Sequence, residues 1–360
     1  MDDFDKYYEA GEPERRERAY GWATAIGLQS VDGLKTSANL LETARRNIEG
    51  EISASEARRL VDDYYETRLD HDAPEDEEEA DKVAARINEI INLPSFRLSP
   101  EFFIGLHGMI FEGVFPHAGT IRHVDITKRE WVLNGESVHY DASFFIEKSL
   151  EYDFGVEKRF KYGGLSEDSF VDHFSAFVSG LWQIHPFREG NTRTTAVFAI
   201  KYLRAKGFDV TNRLFADKSW FFRNAIVRAN YENQRLGVQK TLQPLKDFFS
   251  VLIYNRKLEL KSRHLRIGHE ADTQPGTAIH SLHRRNADGT VEKTVEKTVE
   301  KPQDVILSVL SRHPASTQKD LQAATGLTRR GVEWNLKALR ESGRIRRVGP
   351  PRGGHWEILP

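Results

Sequence analysis

Apolar residues recur every three or four positions through most of this chain, and that recurrence predicts helices. The clearest run is Phe170, Val171, Phe174, Phe177, Val178, Leu181 and Trp182, one face of a helix that Ser166 is placed to cap. Pro186 disfavours the helical region at His185 and ends that helix there. Val197, Ile200 and Leu203 resume the spacing until Gly207 supplies a stop. The loop that starts at His185 therefore runs into a helix N-terminus. Residues 102–116 read as another helix entering a turn; Trp220 to Tyr231 and Leu242 to Phe248 read as two more. One stretch breaks the period. Val124, Ile126, Trp131, Val132 and Leu133 precede Asn134-Gly135, with Val138 and Tyr140 beyond, which is a hairpin pattern.

Changes in pattern divide the chain into four parts. Residues 1–95 form a helical region in which Asp70 to Asp81 is expected to be a solvated acidic loop before a helix at Val83 to Leu93. Residues 96–265 hold the hairpin and the long helices. Residues 266–301 are polar and end in Thr-Val-Glu-Lys repeated three times from Thr290, a flexible or partly helical tether. Residues 302–360 form a small module. Its helices are expected around Val305 to Leu310, from Thr317 to Gly326, and from Thr328 with Leu336 and Leu339 facing inward. Two strands follow, at Gly343 to Gly349 and His355 to Leu359.

This last module resembles a winged helix-turn-helix domain, which implies a third helix in the major groove and a hairpin against the DNA backbone. Its ten Lys/Arg exceed five Asp/Glu, a net charge of +5. Arg329, Arg330, Lys337, Arg344, Arg346, Arg347 and Arg352 are the candidates for phosphate or base contacts. Docking to another protein is the alternative use of such a module.

The candidate chemistry lies in His185-Pro-Phe-Arg-Glu-Gly-Asn-Thr-Arg193. A helix N-terminus offers unpaired N–H groups and the positive end of a dipole, which suits phosphate. Gly190 allows close approach to the backbone, Asn191 can donate to an oxygen gaining charge, and Arg193 offers a fork to a second phosphate. Glu189 suits a hard cation such as magnesium, and His185 can take a proton from an attacking hydroxyl. Phe187 is expected to anchor the loop in the core. The alternative is a helix–helix turn whose polar residues only cap its ends.

This nine-residue run resembles the signature of the Fic/Doc family, His-x-Phe-x-Asp/Glu-Gly-Asn-x-Arg. The resemblance spans roughly residues 95–260. It implies a mainly α fold, a helical bundle with a β-hairpin flap, to which the small α+β winged-helix domain is joined. It implies AMP transfer from ATP to a Ser, Thr or Tyr hydroxyl of a target protein. His185 would be the base and Glu189 the Mg2+ ligand. Gly190 and Asn191 would cradle the α-phosphate beside Thr192, and Arg193 would hold the β-phosphate. Thr127 and Lys128 would lie on the inner edge of the flap, where an extended target segment adds a strand. Thr192 stands where many members have Gly. Ala196 stands where many carry a second arginine for the γ-phosphate.

Glu49-Gly50 resembles the end of the family's inhibitory motif, so Glu49 is expected to enter the pocket and self-inhibit. Arg45 occupies the Ser/Thr position of that motif. The other reading is a helix ending at Gly50, followed by a capping box from Ser53 to Glu56.

The chain of 360 residues has 39% hydrophobic residues and a net charge of -2, enough for two or three domains with real cores. Without cysteine it has no disulfide, thiolate nucleophile or zinc–thiolate site. No run approaches the roughly 20 apolar residues that span a bilayer, so no membrane contact and a cytoplasmic location are expected. A homodimer is left open. Two readings of the whole compete: a magnesium-dependent protein adenylyltransferase recruited by its C-terminal module, or a DNA-binding transcriptional regulator. In the second, the Fic-like domain senses nucleotide or transfers a different phosphate-containing group.

Overall fold

A computed structural model describes residues 4–10, 12–67, 75–210, 213–268, 295–297, 306–307, 309–311, 313–325, 329–349 and 354–359. The N-terminal helices are α1 (Asp5–Ala10), α2 (Pro13–Gln29), α3 (Ala38–Glu49), α4 (Ala54–Thr67) and α5 (Glu75–Asn92). A 3-10 turn, Ser30–Asp32, follows α2. Next come α6 (Pro100–Phe111), β1 (Asp125–Thr127), α7 (Ile146–Arg159), α8 (Glu167–Ile184), α9 (Asn191–Ala205), α10 (Leu214–Asn230) and α11 (Gln243–Tyr254). The rest is β2 (Val295–Lys297), α12 (Gln318–Thr325), α13 (Arg329–Glu341), β3 (Ile345–Val348) and β4 (His355–Ile358).

One apolar core runs from Phe4 to Ile267. The expected face of α8 is buried, and Ser166 caps it by accepting from Ser169 N at 3.2 Å. Helix α2 packs on both α5 and α10, so the N-terminal region is built into the same body as the loop-bearing helices. Among the described residues, no helix is long and apolar enough to cross a membrane.

Three expectations change. Helix α5 begins at Glu75, well before the predicted Val83. Asp76, Glu77 and Glu78 fall in its first turn, where the dipole favours acidic charge, and residues 70–74 of the acidic run lie outside the described residues. Asp81, predicted to be solvated, is buried and accepts from Ser37 N and Tyr65 Oη, both at 2.8 Å. The hairpin also differs. The chain folds back at Asn134-Gly135, with Glu130 N bonded to Glu136 O at 3.0 Å, but residues 131–133 form a 3-10 turn. Only β1 is a strand there, and its partner is β2 from the linker, antiparallel. Within the predicted tether residues 295–297 form a strand, while residues 269–294 and 298–301, on which the flexible or partly helical reading also falls, lie outside the described residues.

The C-terminal module has the predicted order. Thr317 and Asp320 form a capping box at α12, with Thr317 N donating to Asp320 Oδ2 at 2.8 Å. Strands β3 and β4 pair antiparallel. Ile306, Leu310, Leu321, Val332, Leu336, Leu339, Ile345 and Trp356 form its core, against which Ala142 and Phe145 of the larger body also pack.

Candidate active site

Helix α8 ends at Ile184, and His185 takes a left-handed backbone, φ 50° and ψ 60°. Pro186 disfavoured the helical region, yet left-handed geometry is uncommon for a residue with a Cβ and needs support. Arg122, itself buried, supplies it: its Nε donates to His185 O at 2.7 Å, and its backbone N to Pro186 O at 2.9 Å. The same side chain reaches Val124 O at 2.8 Å and Asp141 O at 2.5 Å, tying the loop to both arms of the flap.

The His185 imidazole is buried beneath Tyr140, ring centroids 3.8 Å apart. Its Nδ1 lies 3.4 Å from Trp182 O. A carbonyl only accepts, so Nδ1 carries the proton and Nε2 holds a lone pair. That Nε2 is buried and has no hydrogen-bond partner. Burial, reinforced by the positive charges of Lys128 and Arg122, holds this imidazole well below its ordinary pKa. It is neutral near pH 7.

The rest of the loop is fixed by packing. Phe187 is fully buried and stacks on His107, centroids 3.8 Å apart, as the anchoring reading expects. His107 Nδ1 accepts from Gly119 N at 2.9 Å, so its Nε2, 3.2 Å away, donates to Glu189 O. Gly190 has φ +72°, and a Cβ there would lie 2.3 Å from the Phe111 ring. Its glycine is therefore required by fold as well as by any ligand. Asn191 also has a local partner. Its amide is turned to the loop, donating to Phe187 O at 2.7 Å and accepting from Phe187 N at 3.0 Å. Thr192 Oγ1 accepts from Trp182 Nε1 at 3.0 Å. Helix α9 starts at Asn191 with no side chain capping it, so its first-turn N–H groups point to the pocket without intrahelical acceptors.

His185, Gly190, Asn191, Thr192 and Lys128 line one tightly closed polar cleft, together with Asp32, Glu130, Trp182 and Arg223. Lys128 Nζ meets Glu189 Oε2 at 2.8 Å, joining a predicted flap residue to the predicted metal ligand. Arg193 is not bare. Its Nη2 meets Glu79 Oε1 at 2.6 Å, its Nη1 donates to Gln29 Oε1 at 3.1 Å, and its Nε lies 2.8 Å from Asp32 Oδ2. Arg223 reaches Asp32 Oδ1 at 2.8 Å and Glu130 Oε2 at 3.1 Å. Burial would raise Asp32, but Arg193 and then Arg223 hold it below the usual carboxylate range. Burial raises Glu79 despite Arg193.

Glu49 is placed elsewhere. Its carboxylate accepts from Tyr7 Oη at 2.7 Å and pairs with Arg15 at 3.4 Å and Lys6 at 3.7 Å. Gly50 caps α3 with φ 84°, and Ser53 N donates to Glu56 Oε2 at 2.8 Å, so the capping reading holds locally. The carboxylates that meet the motif arginine are Asp32 and Glu79. Sequence reasoning missed both, along with Arg122, Tyr140 and Arg223, which come from distant segments with no spacing signal. Ala196 is fully buried, and the second cation of the cavity enters from α10 as Arg223.

In the C-terminal module, Arg329 and Arg330 open α13, and Lys337 is exposed on it. Arg346 Nε pairs with Glu357 at 2.6 Å, and Arg347 lies over the Trp356 ring at 5.0 Å. Two of the predicted contacts are thus engaged within the hairpin.

Residues 97–203 match the Fic/DOC family, and residues 305–346 match a winged helix-turn-helix DNA-binding family. A protein adenylyltransferase of Bartonella henselae is 23% identical over 209 residues, 52% of this chain and 38% of that protein. The probable protein adenylyltransferase y4lH of Sinorhizobium fredii is 28% identical over 138 residues, 38% of this chain and 68% of that protein. The chain thus spans well under half the length of the first relative. A Fic family protein structure from Desulfovibrio desulfuricans G20 is 14% identical, with 98% of this chain and 92% of that one covered at a TM-score of 0.43. The chain carries a Fic/DOC family domain, followed by a winged helix-turn-helix module.

Proposed function

We propose that the Fic/DOC domain transfers AMP from ATP to a Ser, Thr or Tyr hydroxyl of a target protein. The observation that carries this reading is the bare His185 Nε2 beside the uncapped start of α9. A nucleotide sensor needs no buried neutral base; an alcohol nucleophile does. The names of the adenylyltransferase relatives support AMP as the transferred group.

The α-phosphate would sit on the first-turn N–H groups of α9, the donors Gly190 leaves accessible. Arg193 would take the β-phosphate once Glu79 and Asp32 release it. A target hydroxyl attacks the α-phosphorus, its proton passes to His185 Nε2, and the bond to the β-phosphate oxygen breaks, releasing pyrophosphate. Arg122 and Tyr140 hold the base during that exchange. Asn191 contributes through its backbone N–H and by stitching the loop.

Magnesium takes one or two carboxylates and fills its shell with phosphate oxygens and water. Glu189 beside the helix tip fits that donor set, with Asp32 across the cavity; the ion would neutralise phosphate charge during transfer. Among the described residues no cluster of three or more His, Cys, Asp or Glu could hold a metal by itself.

Incubation with Mg-ATP labelled at the α-phosphate tests the reaction. Covalent label on protein, lost in His185→Ala, is expected. Label only from the γ-phosphate, or none with nucleotide bound, would favour the regulator reading, for which Ala196 and the occupied Arg193 speak. For the C-terminal module we propose DNA as the ligand, with Lys337 among its phosphate contacts. Each lost phosphate contact should lower the salt slope of binding by about one.

A further inference from the structure

Strand β1 lies at the mouth of the cavity, because the next residue, Lys128, touches Glu189 at 2.8 Å. Its edge is taken by β2. Lys297 pairs with Asp125, Glu296 with Ile126 and Val295 with Thr127, all antiparallel. The segment Val295–Lys297 belongs to the middle copy of Thr-Val-Glu-Lys, a tetrapeptide that occurs three times between Thr290 and Lys301. Four is an even period. A slip by one whole copy therefore returns the same residue types to the same faces of a strand, and only slips by odd numbers exchange the faces. Any of the three copies can offer this edge an equivalent strand.

We infer that the Thr-Val-Glu-Lys repeat is the flap's own ligand, a tethered strand that occupies in cis the edge where an extended target segment would add. The inference rests on reading the Fic/DOC domain as an enzyme that acts on proteins. Strand addition draws its affinity from main-chain hydrogen bonds, so a polar segment qualifies if it can extend. Threonine and valine favour that extended state, while Glu and Lys suit an exposed edge. In the observed register Lys297 is the ladder partner of Asp125. Covalent attachment makes even a weak pairing count, because a linked segment acts at an effective concentration of roughly millimolar. A free target must displace it.

The test needs no nucleotide. A fluorescein-labelled peptide of three Thr-Val-Glu-Lys copies is titrated against the full chain and against a variant carrying Val291→Pro, Val295→Pro and Val299→Pro. Proline takes one backbone N–H from each copy and disfavours pairing within a ladder. The expected result is at least threefold tighter peptide binding to the proline variant, with faster amide exchange across Asp125 to Thr127 when peptide is absent. A second variant, Glu292→Gln, Glu296→Gln and Glu300→Gln, keeps every backbone donor and should match the wild type. Identical binding and exchange in wild type and proline variant would overturn the proposal. So would loosening by the glutamine variant equal to that by proline, since charge would then be responsible. Peptide that binds neither protein also overturns it. With no ATP present, none of these outcomes depends on AMP transfer, and loss of transfer would leave them unaltered.

Discussion

The ring of Tyr140 lies on the ring of His185, centroids 3.8 Å apart and planes 22° from parallel. Trp182 meets the same imidazole edge-on at 5.2 Å while its Nε1 holds Thr192. The imidazole therefore sits between two aromatic walls on a residue with left-handed backbone. An aromatic pair contributes about 0.5–1.5 kcal/mol beyond its buried area, and here part of that fixes the direction of Nε2. Tyr140→Phe, which keeps the stack, should retain labelling within about twofold. Tyr140→Leu should lower kcat by roughly three- to tenfold, the rate equivalent of the stacking energy, with KM little changed. A KM increase at constant kcat in the leucine variant would show that the ring contacts substrate instead of the base.

Arg193 supplies a second prediction. Three groups from two N-terminal elements and α5 converge on it: Gln29, Asp32 and Glu79. A nucleotide can use this guanidinium only by displacing its carboxylates, so nucleotide binding works against an ion pair already made. Removing one charge should strengthen nucleotide binding. Glu79→Gln is expected to tighten ATP affinity about tenfold by calorimetric titration, corresponding to about 1.4 kcal/mol. Glu49→Gly, by contrast, should leave both affinity and auto-labelling unchanged, since Glu49 spends its charge on Lys6 and Arg15. Faster labelling in the Glu49 variant would return the inhibitory role to the Glu-Gly pair.

Gly190 is constrained twice, by a left-handed backbone at φ +72° and by the Phe111 ring where a Cβ would go, 2.3 Å away. The ring cannot simply yield, because Arg193 lies over it at 4.8 Å and His107 packs beside it at 4.8 Å. Gly190→Ala should destabilise the domain by about 2–4 kcal/mol, combining backbone strain with overpacking. Thermal melting would show it. A variant that melts with the wild type but loses nucleotide would mean the glycine serves only the ligand.

The sequence made the loop legible because its elements are local. Ser166, Pro186 and Gly190 bound two helices by rules that need no tertiary contact, and the two helices fell where the spacing put them. What surrounds the loop was not legible. Asp32, Glu79, Arg122 and Arg223 reach it from segments up to a hundred or more residues away, and no periodicity marks a charge that will be buried against another. Asn191 shows the same limit at short range. Its type suggested a donor to substrate, and nothing in the spacing foretold that the tight turn would also set its amide against Phe187. The hairpin was misread because Asn134-Gly135 fixes a reversal without fixing a ladder, and the ladder partner came from a low-complexity repeat.

The buried histidines make stability depend on pH in a definite direction. Burial, opposed by the bond to Glu189 O, pushes His107 down to about 3, and burial holds His185 well below its ordinary range. The unfolded chain protonates both near pH 6.5, while the folded chain keeps them neutral. Below that pH the unfolded state binds more protons, so stability is full above about 6.5 and falls as pH drops toward the folded values. At pH 4.5 His107 alone should have lost about 2–3 kcal/mol relative to pH 7. His107→Gln will start from lower stability, since it gives up the stack on Phe187. Its decline from pH 7 to 4.5 should nonetheless be shallower than the wild type's by that amount, because carboxylate titration is common to both and cancels. Denaturant melts at the two pH values measure the difference. Parallel declines would mean that His107 is already charged in the fold, and that the Glu189 carbonyl and Gly119 amide are bonded in some other way.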